Sequence, residues 1–240
     1  AGLGGLGGQR SDHVRMGRPV GTADTQIDDL TARGAHPVDF AQLQAEAPDI
    51  YAWLELPDTG IDDPVLQRAG ADLFYNSHNA YGQYYMCGAV FSQSAYNGRN
   101  FDSPMTVLYG HSTVLGQPGA FMELNNYADE AYFDAHREMR VYMPDGMYVY
   151  HIFAACVHSN EHLLYCHDFS DETQFDAFFS SLTEDTSPDS HIDAEALPQA
   201  GDKVLTLSTC YSANKNLRYL VMGVLEEFVP TAEAAGREAA

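Results

Sequence analysis

A cysteine at the end of an apolar run is the best candidate for a nucleophile in this sequence. Cys210 ends the β-type run VLTLSTC and precedes a polar loop, so its thiol is expected at the rim of a sheet, where a substrate can reach it. The attacking species is the thiolate, and a free thiol, with a pKa of about 8.5, is mostly protonated at neutral pH unless a cation or a base lies close by. The predicted cation is Arg218, because pairing of its β run with the cysteine run across the loop at 211–216 brings it beside Cys210. An ordinary thiol and a surface arginine in a hairpin are the alternative.

The predicted base is a histidine in the equivalent place on another run. His111 follows the β-type run MTVLY in the segment LYGHS, and the preceding Gly110 allows the chain to leave the strand sharply. Imidazole titrates near neutrality, which suits a group that gives and takes protons during catalysis. A histidine after a strand can also be a capping or surface residue. Cys, His and Arg each at a strand end are nevertheless a more specific arrangement than any of them alone.

A second constellation points to a different chemistry. His158, Glu161 and His162 spell H-x-x-E-H, the inverted zinc-protease motif, and Cys166 and His167 follow shortly after. On a helix, histidines four residues apart share a face and can hold a metal, with the glutamate as base, so a zinc-dependent hydrolase is the alternative enzyme. The motif directly follows a β-type run, which favours a polar loop, and no metal site is therefore predicted.

Composition limits the other classes of function. The chain has 240 residues, with 12 Lys and Arg against 34 Asp and Glu, and a net charge of -22. This negative field disfavours binding to nucleic acid or to anionic lipid. Because the segment GLGGLGG neither follows a strand nor precedes a capped helix, no nucleotide or other cofactor is expected. The four cysteines lack CxxC spacing and are too few for a disulfide scaffold, and the three besides Cys210 are expected to be buried or inert.

The residues with chemistry must be held by a mainly β framework. Short β-type runs separated by turn residues extend from Tyr51 onward, and the Asp145-Gly146 pair between two alternating runs is the strongest hairpin signal. The pattern predicts a mostly antiparallel β domain decorated by helices.

Helices are predicted where apolar residues recur at helical spacing. Two of them begin after the capping residues Asp24 and Asp39, and two more lie at 120–127 and 172–182. The predicted organisation is a flexible Gly-rich leader or tag remnant at 1–23, one domain at 24–228 and a flexible tail at 229–240.

Taken together, these segments resemble class B sortases. TLSTC at 206–210 matches the family's T-L-x-T-C signature, with an arginine eight residues on, and LYGHS matches the Y-G-H segment that carries the family's catalytic histidine. The stretch DIYAWLELPDTGIDDPVLQ at 49–67, the run CGAVF and the segment FMELNNY also resemble the family framework. The similarity covers roughly residues 39–228.

The resemblance implies a fold and an activity. The fold is a closed eight-stranded β-barrel with N-terminal helices and a helix in the connection before the strand of Cys210. The domain at 24–228 is then a cysteine transpeptidase that cleaves a C-terminal sorting signal of a secreted protein through a thioacyl enzyme. It transfers the new carboxyl end to an amine of cell-wall peptide or of a pilin lysine, at the extracellular face of a Gram-positive cell membrane. Membrane contact is expected only through an N-terminal anchor absent from this sequence, and a surface module that merely binds a wall protein is the non-catalytic alternative.

The resemblance also implies site residues. The implied nucleophile, acid–base partner and cationic oxyanion donor are Cys210, His111 and Arg218. The implied lining of the substrate groove consists of Ser208, Thr209 and Tyr109, and for Ser208 and Tyr109 a buried strand position is the alternative. Asp63 and Tyr211 depart from the residues that are frequent at these places in the family, which leaves the preferred sorting signal open.

Overall fold

The computed structural model describes residues 38–231. The helix predicted after Asp24, the leader at 1–23 and residues 232–240 of the tail lie outside the described residues. The described α-helices are α1 (Phe40–Glu46), α2 (Glu130–Ala135), α3 (Leu163–Cys166) and α4 (Glu172–Leu182). Two 3-10 helices lie at Phe74–Asn76 and Met122–Ala128. None of the described helices combines the length and the hydrophobicity that crossing a membrane requires.

Eight of the described strands close into a barrel. The strands in chain order are β1 (Ile50–Glu55), β2 (Asp62–Leu66), β3 (Val90–Phe91), β4 (Met105–Tyr109), β5 (Thr113–Val114), β6 (Gln117–Pro118), β7 (Glu138–Met143), β8 (Gly146–His158), β9 (His191–Ile192), β10 (Val204–Cys210) and β11 (Arg218–Pro230). Around the ring the order is β1, β2, β3, β4, β10, β11, β8 and β7, and β7 pairs back with β1. β9 adds to β8, and β5 and β6 form a separate hairpin. The predicted closed eight-stranded barrel is confirmed.

The barrel wall is buried on both faces, which explains why its strands read as apolar runs. In β1, Leu54 belongs to one buried cluster with residues of the other strands, whereas its neighbour Trp53 packs in a second cluster that includes Phe40 of α1. α1 begins as predicted, because the Asp39 carboxylate accepts a hydrogen bond from the backbone N–H of Gln42 at 2.9 Å. The helix predicted after Asp39 is therefore confirmed.

α4 covers the outer face of the barrel next to the strands that carry the candidate site. The Asp171 carboxylate caps it by accepting from the backbone N–H of Gln174 at 2.9 Å. Its buried apolar face consists of Phe175, Phe178, Phe179 and Leu182. These residues pack in one cluster with Phe153 of β8 and Leu220 of β11. The helix predicted at 172–182 is confirmed, with the same bounds.

Replacing Phe179 with alanine is expected to destabilise the fold strongly. The ring is 1 % exposed and lies 4.7 Å from Phe175 and 5.7 Å from Phe153, measured between centroids, so the variant leaves a cavity between helix and barrel. The expected loss is about 3–5 kcal/mol of unfolding free energy. Urea unfolding followed by circular dichroism measures it. Phe228→Ala is the control, because its ring is already 39 % exposed, and an equal loss in both variants would contradict the packing described here.

Two predicted elements differ in the structure. The run CGAVF forms only the two-residue strand β3, because Gly88 within the run adopts φ +60°, which is not a strand conformation. The backbone approaches closely there, since a Cβ on Gly88 would lie 2.3 Å from the Tyr75 carbonyl oxygen. The helix predicted at 120–127 is a 3-10 helix at Met122–Ala128. The hairpin predicted at Asp145-Gly146 joins β7 and β8 as expected.

The pairing of β4 with β10 brings two distant segments to the same end of the barrel. The two strands are parallel, with Tyr109 opposite Ser208, and the backbone N–H of Gly110 donates to the Ser208 carbonyl at 3.2 Å. Since both strands run the same way, His111 after β4 and Cys210 at the end of β10 emerge at one rim. This rim carries the candidate site.

Candidate active site

The cysteine and the arginine are direct neighbours across two antiparallel strands. Cys210 lies opposite Arg218 in the register of β10 and β11. Arg218 donates from Nη1 to the carbonyl of Leu217 at 3.3 Å, and the same nitrogen lies 3.8 Å from the Cys210 Sγ. Cys210 is half-buried, and its thiol and the guanidinium both line one cavity at the rim. The predicted proximity of these two side chains is therefore observed.

The histidine lines the same cavity from the other side of β10. Its Nε2–H donates to the backbone carbonyl of Asn76 at 2.9 Å, and its own carbonyl accepts from the backbone N–H of Phe121 at 3.0 Å. A Cβ at Gly110 would lie 2.8 Å from the Phe121 ring, so the close approach of that ring requires glycine immediately before His111. The structure thus brings His111, Cys210 and Arg218 to one cavity.

The segment that supplies the Asn76 carbonyl is fixed by an ion pair behind it. The Asp49 carboxylate accepts from Arg68 Nε and from the Tyr75 hydroxyl, each at 2.7 Å. Arg68 in turn stacks on the Phe74 ring at 3.7 Å from its centroid. Sequence reasoning did not identify Asn76, because a backbone carbonyl leaves no signature in residue type.

Replacing Asp49 with asparagine is expected to remove an acid-sensitive part of the stability. Partial desolvation raises the pKa of Asp49, but the hydrogen bonds from Tyr75 and Arg68 and the guanidinium charges of Arg68 and Arg99 outweigh it, so the pKa is lowered. A lowered folded-state pKa stabilises the fold above the unfolded-state value, and this contribution disappears as the pH falls through the folded-state value.

Urea midpoints measured between pH 7 and pH 2 test this expectation. Asp49→Asn should be less stable than the parent chain at pH 7 and should lose less stability than the parent below about pH 5. Glu227→Gln, which removes an exposed carboxylate of β11, is the control. Parallel pH profiles for Asp49→Asn and the parent would contradict the role of the ion pair.

The three residues predicted to line the groove lie at the cavity. Tyr109, Ser208 and Thr209 all contribute to its walls. Ser208 and Thr209 are 6 % and 2 % exposed, so each also holds a buried strand position. Within residues 38–231, the hydroxyls of Tyr109 and Thr209 are buried without a hydrogen-bond partner, which is costly unless another molecule satisfies them. Burial, with a contribution from Tyr96, raises the pKa of Tyr109, so its hydroxyl stays a neutral donor.

The H-x-x-E-H segment does not form the helix that the zinc motif requires. His158 is the last residue of β8, whereas His162 caps α3, with its Nδ1 accepting from the backbone N–H of Tyr165 at 3.2 Å. The other ring nitrogen of His162 is hydrogen-bonded to Gln93 Oε1 at 2.6 Å. In the part of the chain that the structure describes, no three metal-binding side chains cluster closely enough to hold an ion.

The remaining cysteines differ in exposure. Cys87 and Cys156 are buried, as expected, and burial raises the pKa of Cys156 to about 12, which keeps it as an inert thiol. Cys166, at the end of α3, is exposed, so for this thiol the expectation of inertness stays a prediction. All four cysteines are free.

Sequence comparison relates the chain to one family. The family model described as Sortase domain matches residues 54–226. Sortase B of Listeria monocytogenes is 26% identical over 172 residues, which cover 72% of this chain and 67% of the relative. Sortase B of Staphylococcus aureus is 25% identical over 175 residues, which cover 72% of this chain and 68% of the relative.

Solved structures show the same likeness. A class B sortase of Streptococcus pyogenes that is involved in pilus biogenesis superposes with a TM-score of 0.64 at 26% identity, over 79% of this chain and 98% of that one. Sortase B of Bacillus anthracis in complex with AAEK1 gives a TM-score of 0.65 at 26% identity, over 78% of this chain and 84% of that one.

Proposed function

The chain belongs to the sortase family of cysteine transpeptidases, class B, and on this premise we propose that Cys210, His111 and Arg218 carry out the transfer. Sortases cleave sorting signals and join the product to an amine acceptor. The observation that carries the assignment is the register pair Cys210 and Arg218, with 3.8 Å between Sγ and Nη1, at a cavity that His111 also lines.

The Cys210 thiolate attacks the scissile carbonyl carbon of the sorting signal. The sulfur–carbon bond forms, the carbonyl electrons move to oxygen, and the tetrahedral intermediate then collapses with loss of the amine half of the substrate. His111, as imidazolium, gives that leaving amine its proton. The nitrogen of an acceptor amine then attacks the carbonyl carbon of this thioester and displaces the Cys210 sulfur. His111 accepts the proton that the attacking amine loses.

Arg218 stabilises the negative charges that arise during these reaction steps. It stays protonated throughout, so it acts neither as acid nor as base. Its guanidinium lies where it can interact first with the thiolate and then with the oxyanion, and its remaining N–H groups can hold the substrate backbone. This combination suits arginine better than lysine, because the planar fork offers several donors in fixed directions.

The protonation of His111 follows from its hydrogen bond. A carbonyl only accepts, so Nε2 is the protonated nitrogen facing Asn76, and Nδ1 is the nitrogen that exchanges the proton with the substrate. The hydrogen bond to Asn76 therefore determines which ring nitrogen of His111 faces the substrate.

The finer assignments form part of the same proposal. Tyr109, Ser208 and Thr209 contact the sorting signal, and the orphaned hydroxyls of Tyr109 and Thr209 supply polar contacts to it. The catalytic domain spans 24–228 and works at the extracellular face of the membrane, on secreted proteins and on the amine of cell-wall peptide or of a pilin lysine. The family match at 54–226 supports this domain assignment.

Mass spectrometry of the acyl enzyme tests the proposal directly. The protein is incubated with a peptide library that varies the sorting signal, quenched in acid and digested. We expect a peptide fragment joined to Cys210 as a thioester that hydroxylamine removes, and its mass identifies the cleavage point. Cys166→Ser is the matched control, because it removes an exposed thiol that does not line the cavity. No adduct, or one on Cys166 alone, would refute the proposed function.

A further inference from the structure

Glu161 brings a negative charge to the wall of the active-site cavity. Among the described residues that line this cavity, it is the one with a carboxylate. His167 Nε2–H donates to the Glu161 Oε1 at 3.1 Å, and the glutamate side chain remains 37 % exposed. The hydrogen bond from His167, reinforced by the nearby His158, outweighs partial desolvation and lowers the pKa of Glu161. The cavity therefore holds a permanent anion at neutral pH.

His158 presents a second acceptor beside this carboxylate. Its Nδ1 lies 3.3 Å from the Ser159 carbonyl, which only accepts, so in the neutral ring Nδ1 carries the proton and Nε2 carries the lone pair. The distance from Nε2 to the Glu161 Oε1 is 3.9 Å. This separation exceeds a direct hydrogen bond and leaves room for one donor group that bonds to both atoms.

These acceptors lie in line with the nucleophile. His158 is opposite Arg218 in the register of β8 and β11, and Arg218 is opposite Cys210, so the three residues form a row across adjacent strands. Two strand spacings put the backbones of His158 and Cys210 roughly 10 Å apart. The His158 ring has the Glu161 carboxylate 3.9 Å from its Nε2, Arg218 opposite it in the strand register and, from α4, the uncharged Phe178 ring at 5.9 Å between centroids.

The chemistry of transfer needs a second base. On the proposed function, the acceptor is a primary amine, which arrives in water as an ammonium ion. It must lose one proton to become a nucleophile and a second when its nitrogen bonds to the thioester carbon. His111 can accept only one of these two protons. It gives one proton to the leaving amine in the first step, so it has room for one proton in the second.

We propose that Glu161 and His158 form the binding site for the ammonium group of the acceptor. The ammonium donates to the Glu161 carboxylate and to the His158 Nε2. His158 takes the first proton and becomes imidazolium, which Glu161 stabilises, and it later loses this proton to water. The neutral amine then moves to the thioester carbon, where it forms the new bond, loses its second proton to His111 and displaces the Cys210 sulfur.

Acceptors of different charge test this proposal. The donor is the peptide captured on Cys210, and the acceptors are Nα-acetyl-lysine amide, which is cationic at neutral pH, and hydroxylamine, which is uncharged. Glu161→Gln should lower kcat/KM for the lysine amide roughly tenfold, mainly through KM, and should change transfer to hydroxylamine less than about twofold. Glu161→Asp should restore part of the loss. His158→Gln should lower kcat for the lysine amide, because the bound ammonium then loses its proton acceptor.

The controls separate this proposal from the one on which it rests. Glu184→Gln removes an exposed carboxylate beyond α4 that does not line the cavity, and it should leave both acceptors unaffected. Equal losses with both acceptors in Glu161→Gln, or no loss with either, would overturn the ammonium site. Absence of the thioacyl adduct in the parent chain would instead refute the proposed function.

Discussion

Replacing Cys210 with alanine is expected to reduce transpeptidation by at least about 10,000-fold. The variant retains the cavity, His111 and Arg218 but has no atom that can form the proposed thioester, so both half-reactions lose their common intermediate. Cleavage of the peptide captured on Cys210, followed by chromatography with and without an acceptor amine, measures the loss.

The controls for this variant concern thiol reactivity and folding. Cys166→Ser should retain full activity, because Cys166 is exposed on α3 and does not line the cavity. The urea midpoint of Cys210→Ala should stay close to that of the parent, because the side chain is only half-buried at the end of its strand. Substantial turnover by Cys210→Ala would refute the mechanism. If that turnover were lost to a chelator, the zinc hydrolase built on His158 and His162 would become the better interpretation.

The second large effect is expected at Arg218. Arg218→Ala should lower kcat/KM by about 100-fold to 1,000-fold, the usual cost of removing one oxyanion donor. Arg218→Lys should recover only part of this, because an ammonium restores the charge but not the fork of N–H donors that spans the sulfur and the oxyanion. Steady-state kinetics with the captured peptide measure both variants.

A second cation in the same hairpin supplies the matched control. Lys215 lies in the loop between β10 and β11 and is exposed, so Lys215→Ala removes a positive charge close to the site without removing a donor from the cavity. Its kcat/KM should stay within about threefold of the parent value. Equal losses in Lys215→Ala and Arg218→Ala would show that net charge, and not the position of the guanidinium, matters.

The parts of the site that local sequence encodes could be predicted. Cys210 and Arg218 are eight residues apart, so a single hairpin determines their pairing. Two β-type runs joined by a short polar loop are enough to predict that hairpin. The same holds for α4, whose phenylalanines recur at helical spacing and are buried on one face. In both cases the interaction lies within one or two elements, where side-chain periodicity carries enough information.

Other parts of the site depend on contacts that no local pattern encodes. The residues of β4 and β10 do not show that the two strands pair in parallel. A strand buried on both faces is a continuous apolar run, and this pattern is the same for a parallel and an antiparallel neighbour. The Asn76 carbonyl that holds His111 is backbone, and any residue at that position would supply it. The position of Glu161 between His158 and His167 depends on where a loop folds back.

The zinc motif shows the opposite error, in which a local pattern indicates a helix that the structure does not form. The spacing of His158 and His162 fits one helix face, but β8 extends to His158 because its ladder with β11 continues to that residue. Pairing between strands distant in sequence overrides the local spacing. The prediction that this segment is a polar loop rather than a metal-binding helix came from the adjoining β run, which is a longer and stronger signal than the motif itself.

The parallel pairing of β4 with β10 also has a kinetic consequence. The two strands are about 100 residues apart in the chain, and the barrel closes only when β11 has also paired with β8. Domains dominated by such distant pairings fold slowly, in milliseconds to seconds, because the entropy of closing long loops is lost before the contacts that repay it form. Until that closure, the thiol and the imidazole belong to separate parts of an open chain. Cys210 and His111 therefore reach their common cavity only after this long-range pairing has formed.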